Sequence, residues 1–225
     1  MDEILKALQA CMLFKGLDQG QLLLILSKTQ YIIRTYSKNE FICREDELSA
    51  NVGIIIYGCI EIQKVFATGN LVCFFHKNSG ELFGGAVAFS NESLYPCDVY
   101  SRDVSKILFF SKQSIFEMCK NALFAENLLN TFANRILYYE KKLELFSYSS
   151  IKAKIAYYLL LEMKSNGNSM IRLSFSKKTW AEYLNVSRPS LCRELKKLEN
   201  DQFVKIDKEN ISILNEQALE NLLQQ

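Results

Sequence analysis

The hydrophobic pattern changes period part-way along the chain. Between residues 41 and 110, short runs of β-branched and aromatic residues at 52–57, 59–66 and 71–75 are separated by turn residues, and eight of the nine glycines fall between Gly16 and Gly85. Short strands at this spacing predict an antiparallel barrel or sandwich. Thr68-Gly69-Asn70, between two of the runs, reads as a hairpin loop in which glycine supplies a positive φ. Ahead of the strands, residues 5–26 read as short helices broken at Gly16 and Gly20. From Ser114 no glycine occurs until Gly167, and the apolar positions take up helical spacing.

Between residues 122 and 146 the pattern tightens into a stripe: Ala122, Ala125, Leu129, Phe132, Ile136, Tyr139, Leu143 and Phe146 recur in alternating steps of three and four. This is a heptad seam, and it predicts a long helix that dimerises through Leu129, Phe132, Ile136, Tyr139, Leu143 and Phe146. The other reading of such a stripe is a helix packed on its own domain. Asn134, Arg135, Glu140, Lys141, Lys142 and Glu144 flank the seam and read as its solvated face.

After a hinge at 147–150, residues 151–163 form a helix that stops before Gly167, and residues 171–175 alternate like a strand. Ser176 then caps a short helix at 178–184, and the turn Asn185-Val186-Ser187 leads directly into a second helix at 188–198. Two helices joined by so short a turn predict a helix-turn-helix, with Trp180, Ala181, Leu184, Val186, Leu191, Leu195 and Leu198 buried. Pro189 falls in the first turn of the second helix, where its missing N–H costs nothing. Residues 203–206 and 211–214, joined by 207–210, read as a two-stranded wing, and Asn215 caps a last short helix.

Charge adds direction. The chain carries a net charge of only +2, but 12 of its 27 Lys and Arg against 9 of its 25 Asp and Glu lie from Ser147 onward. The exposed side of the second helix holds Arg188, Ser190, Arg193, Lys196 and Lys197, a set suited to the major groove of double-stranded DNA. Arginine can bond guanine O6 and N7 together, so Arg188 and Arg193 are expected to read bases. Lys196, Lys197 and Lys178 are expected at phosphates. A basic helix face alone is usually only a solvated surface; the helix-turn-helix around it is what assigns it to DNA.

Composition excludes several classes. The seven cysteines stand singly, with no Cys-x-x-Cys pair to hold zinc or an iron–sulfur cluster, and point to a reducing cytoplasm. The longest apolar run, residues 54–60, is far shorter than the ~20 residues of a membrane span. The acidic residues at the start of the chain do not fit a signal peptide. One histidine, His76, no paired-carboxylate motif and no phosphate-binding glycine loop leave no catalytic constellation, so no enzyme is expected.

With these pieces in place the sequence resembles the Crp/Fnr superfamily of bacterial transcription regulators across nearly its whole length. The resemblance is strongest in AEYLNVSRPSLCRELKKLE and next in Gly80-Glu81-Leu82-Phe83-Gly84. It implies an α+β chain: an N-terminal antiparallel jelly-roll effector domain (1–118), a dimerisation helix and hinge (119–149) and a winged helix-turn-helix (150–225). It further implies a homodimer on a palindromic site, with RNA polymerase as a partner if the protein activates. Members that bind cyclic AMP carry a Glu soon after the Gly-x-Phe/Leu-x-Gly turn and an Arg-Ser or Arg-Ala pair for the phosphate. Here Gly85 stands for the Glu, and Leu94-Tyr95-Pro96-Cys97 occupies the region of the Arg. The effector pocket is therefore expected around Gly84, Gly85, Tyr95, Pro96, Cys97 and Tyr139, without cyclic AMP, haem or an iron–sulfur cluster. Pro189 is a second departure, since many members place there a Glu that accepts from a base. The competing function is a cyclic-nucleotide-binding-like module acting on a protein partner.

Overall fold

The computed structural model describes residues 1–48, 51–65, 71–92, 94–173 and 175–224, with residues 71–74 as backbone only. The chain divides into two compact units, Met1–Asn134 and Arg135–Gln225.

The first unit opens with helix α1 (Asp2–Ala10), a 3-10 turn (Met12–Phe14) and α2 (Gln19–Lys28). Gly20 does not break α2. Asp18 accepts from the Gln21 N–H while the Gln21 side chain accepts from the Asp18 N–H, a reciprocal cap that puts Gly20 in the first turn. Two satisfied end groups outweigh the roughly 1 kcal/mol that glycine costs a helix.

Strands β1 (Tyr31–Tyr36), β2 (Phe41–Cys43), β3 (Asn51–Tyr57), β4 (Cys59–Val65), β5 (Leu71–Asn78), β6 (Leu82–Phe83), β7 (Asp98–Ser101) and β8 (Ser105–Ser111) form two antiparallel four-stranded sheets, ordered β1-β8-β3-β6 and β2-β7-β4-β5. This is the expected jelly roll. The unbroken apolar run in β3 has a simple cause: both of its faces are covered. Val52, Ile54 and Ile56 pack with Leu8, Phe14, Leu108, Phe110 and Phe124 under the helices, whereas Ile55 points between the sheets with Tyr36, Phe83, Tyr95 and Ile107. The hairpin expected at Thr68-Gly69-Asn70 lies outside the described residues; the strands flanking it pair antiparallel as far as Val65 and Leu71.

Helices α3 (Gly85–Phe89) and α4 (Lys112–Met118) lead to α5 (Ala122–Ser147), a single helix of 26 residues. Leu129, Ile136 and Leu143 are 70%, 59% and 71% exposed, and Tyr139 and Phe146 are exposed with them. Phe132 departs from this row. Its ring lies 6.0 Å from that of Phe89 and reaches to within 3.5 Å of where a Cβ on Gly85 would stand, so it is half-buried on its own barrel.

The second unit holds the end of α5, then α6 (Ile151–Asn166), β9 (Met170–Arg172), α7 (Lys177–Leu184), α8 (Arg188–Asn200), β10 (Val204–Asp207), β11 (Asn210–Ile213) and α9 (Glu216–Leu222). The wing is three-stranded rather than two-stranded: β9 adds to the edge of β11, pairing Ile171 with Ile211, both buried. The division between units falls inside α5, whose Leu145 is fully buried in the core built by Ile155, Leu159, Trp180, Leu191 and Leu198. Among the described residues no helix is long and apolar enough to cross a membrane.

Candidate nucleic-acid interface

Helix α7 is capped by Ser176, whose Oγ accepts from the Thr179 N–H. It ends at Asn185, in the left-handed region at φ 53, and the N–H groups of Asn185 and Val186 donate back to the carbonyls of Glu182 (3.1 Å) and Ala181 (2.9 Å). Asparagine tolerates this conformation better than residues with larger side chains. Two residues later Ser187 caps α8, accepting from the Ser190 N–H at 3.2 Å. The turn is thus fixed from both sides. The expected stripe of Trp180, Ala181, Leu184, Leu191, Leu195 and Leu198 is buried, and Val186 packs at its edge.

The opposite face of α8 is exposed and positive. Arg188, Arg193 and Lys196, and Lys178 on α7, are exposed and have no side-chain partner among the described residues. Their donors are available to an anion. Lys197 differs, since its ammonium lies 2.7 Å from Glu194 one turn back. Exposed pairs of this kind are worth only about 0–1 kcal/mol, so a phosphate can compete for it. Ser190 is tied into the cap, its hydroxyl accepting from that of Ser187 at 2.8 Å.

Three further cations gather where no sequence period would place them. Arg172 on β9, Lys177 at the start of α7 and Lys208 in the wing turn line one groove of 690 Å³ with Ser176 and Glu209. Only the folding of β9 onto the wing assembles this set, which is why sequence reasoning found Lys178 and not these. Lys142 and Glu144, expected to be solvated, also belong to this unit: Lys142 donates to the Tyr183 carbonyl, and Glu144 accepts from the Tyr157 hydroxyl at 2.7 Å.

In the barrel, Gly84 has φ +75 and caps α3. A Cβ there would lie 2.6 Å from the Tyr95 hydroxyl and 2.7 Å from the Asn51 carbonyl, so both the conformation and the space require glycine. Tyr95 is buried and bonds Cys43, whose thiol burial pushes up to about 11. Cys97 is buried and Pro96 exposed, its carbonyl accepting from Lys64, which is paired with Glu45. Tyr139 lies on the second unit's part of α5, its hydroxyl accepting from Arg135 at 2.8 Å. Gly84, Gly85 and Tyr95 are thus neighbours, and Pro96 faces outward.

Residues 153–222 match the Crp-like helix-turn-helix domain, and residues 33–122 match the cyclic nucleotide-binding domain. The chain belongs to the Crp/Fnr family of transcription regulators. Among this family's curated sequences, one named as an HTH-type transcriptional regulator, ycf28, of Porphyra purpurea is 26% identical over 173 residues, spanning 74% of this chain and 72% of that protein. Among solved structures, the Crp/Fnr chain resembles the catabolite activator protein of Thermus thermophilus (TM-score 0.55, 20% identity, 95% of this chain and 98% of that one). It also resembles CprK in complex with OCPA (TM-score 0.62, 16% identity, 89% and 92%). At these identities the structural likeness speaks for the fold.

Proposed function

We propose that this Crp/Fnr regulator works in the cytoplasm as a homodimer that reads a palindromic double-stranded DNA site through paired copies of α8, under control of an effector other than cyclic AMP. The observation that carries the reading is the unpartnered Arg188, Arg193 and Lys196 on the face of α8 opposite its buried stripe. Lys178 and the Arg172, Lys177 and Lys208 groove extend that positive surface toward the flanking phosphates. RNA polymerase is the further partner if the regulator activates. The reading as a module that acts on a protein partner leaves these charges without a purpose. Selection from a random duplex pool is expected to enrich an inverted repeat whose half-sites lie about one helical turn, or a multiple of it, apart. A pool without enrichment contradicts the reading.

The effector part rests on the barrel turn. The groups nearest Gly84 and Gly85 are the Tyr95 hydroxyl, the Asn51 carbonyl, the Phe132 ring and Leu82, none of them cationic. Among these groups a cyclic phosphate finds no charge-assisted partner to offset its lost water, which supports an effector other than cyclic AMP. Calorimetry with cyclic AMP is expected to give no heat of binding at micromolar to sub-millimolar ligand; a micromolar dissociation constant would overturn this part alone.

A further inference from the structure

We infer that Lys142, on α5, is a positioning residue for DNA reading: its ammonium caps the C-terminus of α7 and so holds the turn that aims α8. The inference rests on the reading of α8 as the DNA-contacting helix.

A helix leaves its last four carbonyls without intrahelical donors. In α7 the carbonyls of Ala181 and Glu182 are filled from the turn by Val186 and Asn185. The Tyr183 carbonyl takes its hydrogen bond from outside the helix-turn-helix, from the Lys142 ammonium. The same ammonium stands 3.8 Å from the centre of the Tyr183 ring and 5.1 Å from that of Phe146. A positive charge is favoured at this end of a helix by the peptide dipoles, and the two ring faces attract it further. Burial pulls the Lys142 pKa down, the mark of an amine drawn out of water into this setting.

The location matters for DNA. Tyr183 is two residues before the left-handed Asn185 and four before Ser187, the cap of α8. A shift of the α7 terminus therefore passes into the direction of α8 with no flexible segment between. Glu144 and Leu145, on the next part of α5, are anchored to Tyr157 and to the core. They fix where α5 ends, while Lys142 reaches the last turn of α7.

The test uses the full chain and three variants. Lys142→Met keeps the aliphatic stem without the charge, and Lys142→Arg keeps the charge. Tyr183→Leu keeps the carbonyl and removes the ring, and serves should Lys142→Met fail to fold; the emission of Trp180, the single tryptophan, reports folding of this unit. Amide hydrogen exchange at residues 185–187 is expected to accelerate in Lys142→Met. Affinity for the duplex selected from a random pool should fall about tenfold, while affinity for random duplex and its salt dependence stay unchanged. Lys142→Arg should restore both readouts, and Tyr183→Leu should weaken selected binding about threefold. Faster exchange with unchanged affinity overturns the positioning role. Equal losses on both duplexes with a shallower salt dependence overturn it too, making Lys142 a phosphate contact. A wild-type chain that enriches no duplex overturns the DNA reading itself, whichever way the exchange comes out.

Discussion

Replacing Ile136 and Leu143 together with aspartate is expected to give a folded monomer of 25.9 kDa that has lost at least a hundredfold in affinity for its palindrome. In the single chain Leu129, Ile136 and Leu143 expose 70%, 59% and 71% of their surface on one helix, a row too apolar to leave in water. Fully burying such a side chain contributes about 1.5–3 kcal/mol, and a two-fold axis doubles each contribution. Aspartate removes that gain and adds a charge that pairing would have to desolvate. Folding should survive, because neither residue belongs to the core of either unit. The loss on DNA follows because a palindrome held by one half-site forfeits the effective concentration the second would supply. Sedimentation at micromolar protein decides it, and a wild-type chain running as a monomer would refute the dimer. Phe132 makes a useful control: its ring is committed to Phe89, so Phe132→Asp should injure the barrel as well as the seam.

Much of this molecule is legible in its sequence because its signals are local. The switch from period two to period three-and-four, the serine and asparagine caps at Ser176, Ser187 and Asn215, and the proline in the first turn of α8 each act within a few residues. What escaped depends on distant partners. Gly20 looks like a breaker until Asp18 and Gln21 are seen to cap each other across it. The third strand of the wing appears only when Ile171 finds Ile211 some forty residues away. Lys142 and Glu144 occupy positions that a heptad assigns to solvent, and no period can reveal that α7 and α6 supply partners for them. The basic groove of Arg172, Lys177 and Lys208 is hidden for the same reason.

The other large effect concerns Arg193. It is exposed in the N-terminal half of α8, has no partner among the described residues, and lies five positions beyond Arg188, about a turn and a half, so the two meet a curving groove at different base pairs. A bidentate arginine–guanine contact is worth about 1–3 kcal/mol of discrimination, whereas a lysine at phosphate supplies affinity without sequence. Pro189, which can neither donate nor accept through its side chain, should leave one base pair of each half-site loosely specified. Lys196→Ala is the contrasting variant, expected to weaken selected and random duplex alike and to lower the salt slope by roughly one. The decisive measurement is the affinity of Arg193→Ala and of the wild type for the selected palindrome and for random duplex, each at two salt concentrations. The expected result is a loss of about 1–3 kcal/mol on the palindrome with random binding nearly unchanged; equal losses on both duplexes would make Arg193 a backbone contact and contradict the assignment of α8 as the sequence-reading helix.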